Sequence, residues 1–181
     1  KFAKSGGLVF GICNGFQILC ESGLLPGILR KNDHLQFRCQ WTHLRIESGS
    51  TSFSNNAEKG QVIRVPISHG EGNYFADTKT LHLLEENEQV LFRYCGPDGD
   101  LTLDANPNGS INNIAGIMNS EGNVMGMMPH PERCCEQILG GVDGELIFRS
   151  ILQSTRVLSE PWMSRIPMIA TSADFGRWTC R

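Results

Sequence analysis

No apolar run in this 181-residue chain approaches the roughly 20 residues that a membrane-spanning helix needs. Nor is there a block of lysines and arginines. The net charge is −3, so nucleic acid and anionic membrane are not expected as partners. Cysteine pairs spaced Cys-x-x-Cys are missing too. The seven cysteines fall at 13, 20, 39, 95, 134, 135 and 180, an odd count that argues against a disulfide framework and a thiolate zinc site. Reduced thiols are expected of a cytoplasmic protein. His130 lies close to Cys134 and Cys135, but it sits in a Pro-His-Pro-Glu turn, and no metal is expected there. Gly70-Glu71-Gly72 has no third glycine, and no Gly-x-x-x-x-Gly-Lys-Ser/Thr run occurs, so no ATP or dinucleotide site is expected on this chain. Lys1–Gly7 has no apolar core behind its charges and does not read as a signal peptide.

What is present is a chain with 40% hydrophobic residues, enough to bury one domain's core. Its most informative run is Gly11-Ile12-Cys13-Asn14-Gly15, directly after Leu8-Val9-Phe10. A buried strand ends, the chain turns sharply, and a helix begins near Asn14 and stops at Gly23. Such a turn holds a strained backbone, so it needs small flanking residues, here Gly11 and Gly15. It would project the Cys13 thiol at a helix N-terminus, where negative charge is favoured.

Further elements follow from pattern. Phe37–Glu47 reads as a strand whose alternation slips between Trp41 and Leu44, which predicts a bulge or break. Ile63, Val65 and Ile67 alternate, with Pro66 placing that strand at an edge or a bulge. Asp77 or Thr78 caps a short helix, and Gln89–Cys95 is a strand. Ile114–Met118 and Val124–Met128 form a hairpin that runs into Pro129-His130-Pro131-Glu132. A last helix starts near Asp143, and the pattern fails after about Gln153.

A cysteine nucleophile needs one imidazole as base and acid, and a third group to fix its tautomer. His130 and Glu132, two residues apart in a proline-stiffened segment, can supply both. A surface turn with an incidental Glu132–Arg133 ion pair would look the same in isolation. Gln17, one helical turn after Cys13, stands above the thiol or simply faces solvent. His69, near glycines, reads as a loop-shaping residue rather than the base.

The stretches Gly11–Leu19, Gly23–Gly27, His69–Tyr74, Asn106–Ser110, Asn112–Ile117 and Met127–Arg133 together resemble the class I (triad) glutamine amidotransferases. Within that family they are most similar to the glutaminase-subunit branch that serves phosphoribosylformylglycinamidine synthase, in purine biosynthesis. The resemblance implies an α/β fold with an open, mainly parallel sheet of flavodoxin-like type, helices on both faces, and Cys13, His130 and Glu132 as catalytic triad. It implies one oxyanion N–H from Asn14, glutamine contacts from Gln17, and backbone lining of the substrate's α-amino and carboxylate end by Asn112, Asn113 and Ile114. L-Glutamine would be hydrolysed to glutamate and ammonia. The ammonia would pass to a synthetase subunit, with a small accessory subunit, and ATP and Mg²⁺ would reside on that partner and not on this chain. Members of the family carry βα units ahead of the elbow strand, one of whose loops gives the second oxyanion N–H. The chain is therefore expected to be an N-terminally truncated form, with residues 1–153 as the amidotransferase domain and 154–181 as an unmatched tail. Another cysteine hydrolase or peptidase built on the same elbow, or an inactive partner-binding fragment, are the alternatives.

Overall fold

The computed structural model describes residues 1–157, so most of the expected tail lies outside the described residues. Eight strands and three helices follow one another. They are β1 (Val9–Ile12), α1 (Asn14–Glu21), β2 (Ile28–Arg30), β3 (Arg38–Ile46), β4 (Val62–His69), β5 (Asn73–Phe75), α2 (Thr78–Glu86), β6 (Val90–Cys95), β7 (Ile114–Met118), β8 (Val124–Met127) and α3 (Glu145–Val157). Six strands form one sheet in the order β1-β8-β7-β6-β3-β4, while β2 and β5 make a separate antiparallel ribbon.

The α/β class stands, but the strand directions differ from the expected mainly parallel sheet. Among the described residues only β1 and β8 pair in parallel; β8–β7, β7–β6, β6–β3 and β3–β4 are antiparallel. The reason is connectivity. A short loop between neighbouring strands, such as 119–123 between β7 and β8, can only reverse the chain, whereas parallel neighbours need a long crossover.

The two faces bury separate clusters. Leu44, Ile46, Val65, Ile67, Phe92, Met125 and Met127 pack on one face with Phe53 and with Ile147 of α3. Phe16, Leu19, Leu84, Ile117, Val124 and Met128 pack on the other, under α1 and α2. Strand β8 shows the alternation cleanly, with Val124 on the second face and Met125 and Met127 on the first. Asp77 caps α2 by accepting the Thr80 N–H at 2.8 Å, and Gly23 closes α1 with a φ of 69°.

The expected break in β3 is absent. Its register with β4 runs without interruption from Arg38↔His69 to Arg45↔Val62. The apparent slip reflects a change of neighbours along one regular strand. Only residues 43–46 are also paired to β6, and there Leu44 and Ile46 enter the core. At the other end Trp41 is covered by Arg64, 4.5 Å above its ring, and by Gly140 and Gly141. The irregular pairing lies instead between β6 and β7, around Val90–Arg93.

Helix α1 sits close on the sheet because Gly126 leaves room for it. A Cβ at Gly126 would lie 2.2 Å from Phe16 Cδ2, and Phe16 is fully buried, stacked on Tyr74 at 5.8 Å. Gly126→Ala should therefore destabilise the fold by about 1–3 kcal/mol through overpacking, read as a lower denaturant midpoint at unchanged slope.

Candidate active site

The thiol is delivered by backbone strain. Cys13 immediately precedes α1 and has φ 53° and ψ −107°, a conformation that costs a non-glycine residue about 1–3 kcal/mol. Gly11 is needed because a Cβ there would lie 2.7 Å from the backbone of Gly15. The elbow is pinned by the Cys13 N–H, which donates to Met127 O at 2.8 Å. Asn14 is the first residue of α1, so its N–H belongs to the first turn, whose donors the helix itself leaves free. The Asn14 Oδ1 lies 4.0 Å from the Cys13 sulfur.

His130 follows β8, the strand beside β1, and is held against the far edge of the sheet. Edge strand β4 turns the backbone groups of Arg64, Pro66 and Ser68 away from β3. Arg64 N–H donates to Asp143 Oδ2 at 2.7 Å, Pro66 O accepts the His130 N–H at 2.8 Å, and Ser68 O accepts from the Cys13 thiol at 3.9 Å. Pro66 is tolerated because the donor it lacks would have pointed off the sheet.

His130 is buried, and its Nδ1 lies 2.6 Å from Glu132 Oε1. Its Nε2 is buried without a partner at ordinary hydrogen-bond distance, and the Cys13 sulfur is the group it faces. Burial alone would lower the His130 pKa; hydrogen bonding and charge from Cys13 and Glu132 outweigh it and raise the pKa to about 9. The imidazole thus carries a proton at neutral pH, beside a sulfur that gains from positive charge. Cys135 Sγ donates to Glu132 O at 3.3 Å and Cys134 Sγ to Pro131 O at 3.6 Å, so both thiols address the backbone of this turn.

Gln17 stands on α1 above the elbow, and its Nε2 donates to Glu71 O at 2.9 Å. The turn Ser68–Gly72 is thus the backbone that meets both Cys13 and Gln17. Sequence reasoning missed Ser68 and Glu71, because a carbonyl's role leaves no mark on side-chain identity. The usable signal was His69-Gly70-Glu71-Gly72 itself. A Cβ on Gly72 would lie 2.2 Å from the His69 ring, and His69 is buried as a loop-shaping residue.

Asn112, Asn113 and Ile114 lie at the same end of the sheet, since Ala115 O accepts from Met128 N–H beside the elbow. Several of their polar groups are engaged within the fold. Asn112 and Asn113 have φ of 52° and 56°. Asn112 O accepts from Arg93 at 2.7 Å, and the same guanidinium grips both Glu85 oxygens at 2.6 and 2.7 Å. Asn113 Nδ2 donates to Tyr94 O and Thr102 O at 3.0 Å.

A family model described as a CobB/CobQ-like glutamine amidotransferase domain matches residues 1–143. Over 151 residues the chain is 64% identical to the phosphoribosylformylglycinamidine synthase subunit PurQ of Moorella thermoacetica, covering 83% of this chain and 64% of that protein. It is 57% identical to the subunit of the same name from Salinibacter ruber, covering 88% and 68%. Among solved structures, PurLQS from Thermotoga maritima matches with a TM-score of 0.71 at 43% identity, covering 85% of this chain and 65% of that one. The chain thus spans about two thirds of the length of the relatives it matches.

Glu132→Gln should lower the His130 pKa from about 9, seen by NMR titration. A raised folded pKa adds stability that is fully present below the unfolded value of about 6.5 and is lost as pH rises through about 9. The stability gap between wild type and Glu132→Gln should therefore be widest near about pH 6 and shrink as pH passes about 9, in denaturant midpoints. A gap that widens with pH would contradict the pairing.

Proposed function

This chain belongs to the CobB/CobQ-like glutamine amidotransferase family, and from that premise we propose that it carries the thiol, base and orienting carboxylate of a glutaminase subunit. The observation that carries the reading is the convergence of a strained elbow cysteine with a His–Glu pair that follows the neighbouring strand β8 and is held by the opposite edge strand β4. The Cys13 thiolate attacks the carboxamide carbon of L-glutamine. The tetrahedral oxyanion is held by the free N–H of Asn14. His130 gives its proton to the departing ammonia, which leaves a γ-glutamyl thioester on Cys13. His130 then takes a proton from water, the hydroxyl adds to the thioester, and glutamate leaves as Cys13 is restored. Glu132 fixes the imidazole with Nδ1–H toward itself, so Nε2 is the atom that exchanges protons with sulfur, ammonia and water.

The two PurQ-named relatives and the PurLQS match support a place in phosphoribosylformylglycinamidine synthase. On this reading the ammonia goes to a synthetase subunit that uses ATP and Mg²⁺ to convert formylglycinamide ribonucleotide to formylglycinamidine ribonucleotide, with a small accessory subunit in the complex. Asn112–Ile114 lie at the same end of the sheet as the elbow, and the Ser68–Gly72 turn meets both Cys13 and Gln17.

Cys13→Ala should abolish glutamate release, by up to about 10⁶-fold on the scale of a serine protease that loses its nucleophile. Cys20→Ala is the control, because burial raises that thiol to about 12 and keeps it inert. A glutamine-analogue electrophile should label Cys13 first, read by peptide mass spectrometry. Equal losses in the two variants would refute the assignment.

A further inference from the structure

Two loops frame the end of the sheet that carries Cys13. Strand β3 starts at Arg38, opposite His69 at the end of β4, so the segment 31–37 lies beside the turn whose Ser68 O meets the thiol. Asn32 N–H donates to Gly70 O at 2.9 Å, and a Cβ on Gly70 would lie 3.7 Å from the Phe37 ring. The connection from β6 to β7, 96–113, lies at the same end and touches that segment, where Asp33 N–H donates to Asn108 O at 3.2 Å. The four most exposed large apolar side chains among the described residues are Ile138 at 89%, Leu103 at 88%, Leu35 at 78% and Phe37 at 65%. Three of the four stand on these two loops. One exposed leucine needs no explanation; three such residues around one mouth mark a contact surface.

Leu35 adds a second observation. Its φ is 56°, a left-handed conformation that a bulky side chain rarely adopts. The loop is pinned in that shape, because Leu35 N–H donates to Asn32 O at 2.9 Å and Asn32 Nδ2 donates to Gln36 O at 2.8 Å. Asparagine or glycine would sit there with less strain. The chain instead holds a strained leucine out in water, already fixed in place for a partner.

The two loops also differ in charge. Arg30, Lys31 and Arg38 flank Leu35 and Phe37, with Asp33 as the one carboxylate among them. Asp98, Asp100 and Asp104 flank Leu103, with no cation among them, and all three are exposed.

Resting on the amidotransferase reading, we propose that Leu35, Phe37 and Leu103 form a docking rim for the ammonia-consuming synthetase partner. The chemistry of the product selects that occupant. Ammonia set free in water at neutral pH takes up a proton and loses its nucleophilic lone pair, so the partner that uses it has to seal the mouth against water. A second copy of this chain would close the mouth against another glutaminase and leave the ammonia no acceptor. The synthetase surface presents apolar sockets to the three side chains, cations to 98–104 and carboxylates to 30–38.

The test uses the full chain and the purified synthetase subunit. Leu35→Asn suits the left-handed backbone, so its denaturant midpoint should match or exceed that of wild type, while Kd for the synthetase rises at least about tenfold. Leu103→Ser should weaken binding in the same direction at an unchanged midpoint. Asp100→Lys combined with Asp104→Lys should slow association about tenfold at low salt, a difference that shrinks as salt is raised. Without synthetase, a glutamine-analogue electrophile should label Cys13 equally in wild type and in all these variants. With synthetase saturating, glutamate formed per nucleotide amidated should exceed the wild-type ratio in Leu103→Ser. Wild-type affinity in both Leu35→Asn and Leu103→Ser would overturn the rim, as would weaker binding that merely follows a fall in the denaturant midpoint. A dimer of this chain that Leu35→Asn dissolves, seen by sedimentation, would overturn the choice of occupant. Failure of wild type to hydrolyse glutamine, beside synthetase binding that depends on Leu35 and Leu103, would overturn the amidotransferase reading while supporting the docking surface.

Discussion

The site depends on one constraint, the curl that brings the two edges of a six-stranded sheet together. Cys13 follows β1 at one edge, and Ser68 belongs to β4 at the other. Six strands laid flat would hold those edges about 24 Å apart, at about 4.8 Å per step. Instead the Cys13 sulfur is 3.9 Å from Ser68 O. Twist accumulated across the antiparallel pairs, together with the irregular β6–β7 pairing, is the means by which a sheet closes in this way. Everything functional is placed relative to that closure. His130 hangs from Pro66 O, the amide of Gln17 from Glu71 O, and Asp143, just ahead of α3, is tied to the same edge.

The arrangement spends local stability. Cys13 sits in a strained conformation, and His130 Nε2 and Glu132 Oε2 are buried without partners. Such groups persist only where surrounding structure over-determines them. Here the determining structure is backbone: the Met127 carbonyl beneath Cys13, the Pro66 carbonyl behind His130, and glycines where α1 and the turn approach most closely. Among the described residues, the strained Cys13 and two of the three buried unpartnered side-chain atoms belong to the elbow and the His130–Glu132 turn.

Local chemistry was legible in the sequence where one segment carried it. The elbow was readable because Gly11 and Gly15 flank a single cysteine after an apolar run. The His–Glu pair was readable because two prolines stiffen two residues. Caps such as Asp77 and stops such as Gly23 followed from side-chain chemistry alone. What was not legible depends on neighbours distant in the chain. The phase slip in β3 was read as a break, yet it records a strand half covered by β6 and half by Arg64 and the glycine loop. Strand direction was expected from family resemblance, and the hairpin at 114–127 already argued against it. The Ser68–Gly72 turn was not legible either, because its contribution beside Cys13 and Gln17 is two carbonyl oxygens, which any residue could have supplied.

Pro66 has a second consequence, for solubility. An edge strand of eight residues is an invitation to a foreign strand, because its outward N–H and C=O groups form a ready ladder. In β4 that ladder is interrupted: one rung has no N–H, and the outward carbonyl at the same position is already taken by His130. The Asp143 carboxylate occupies the outward N–H at Arg64. The segment that carries His130 therefore also blocks strand addition, so on this edge protection from aggregation and placement of the histidine are one and the same contact.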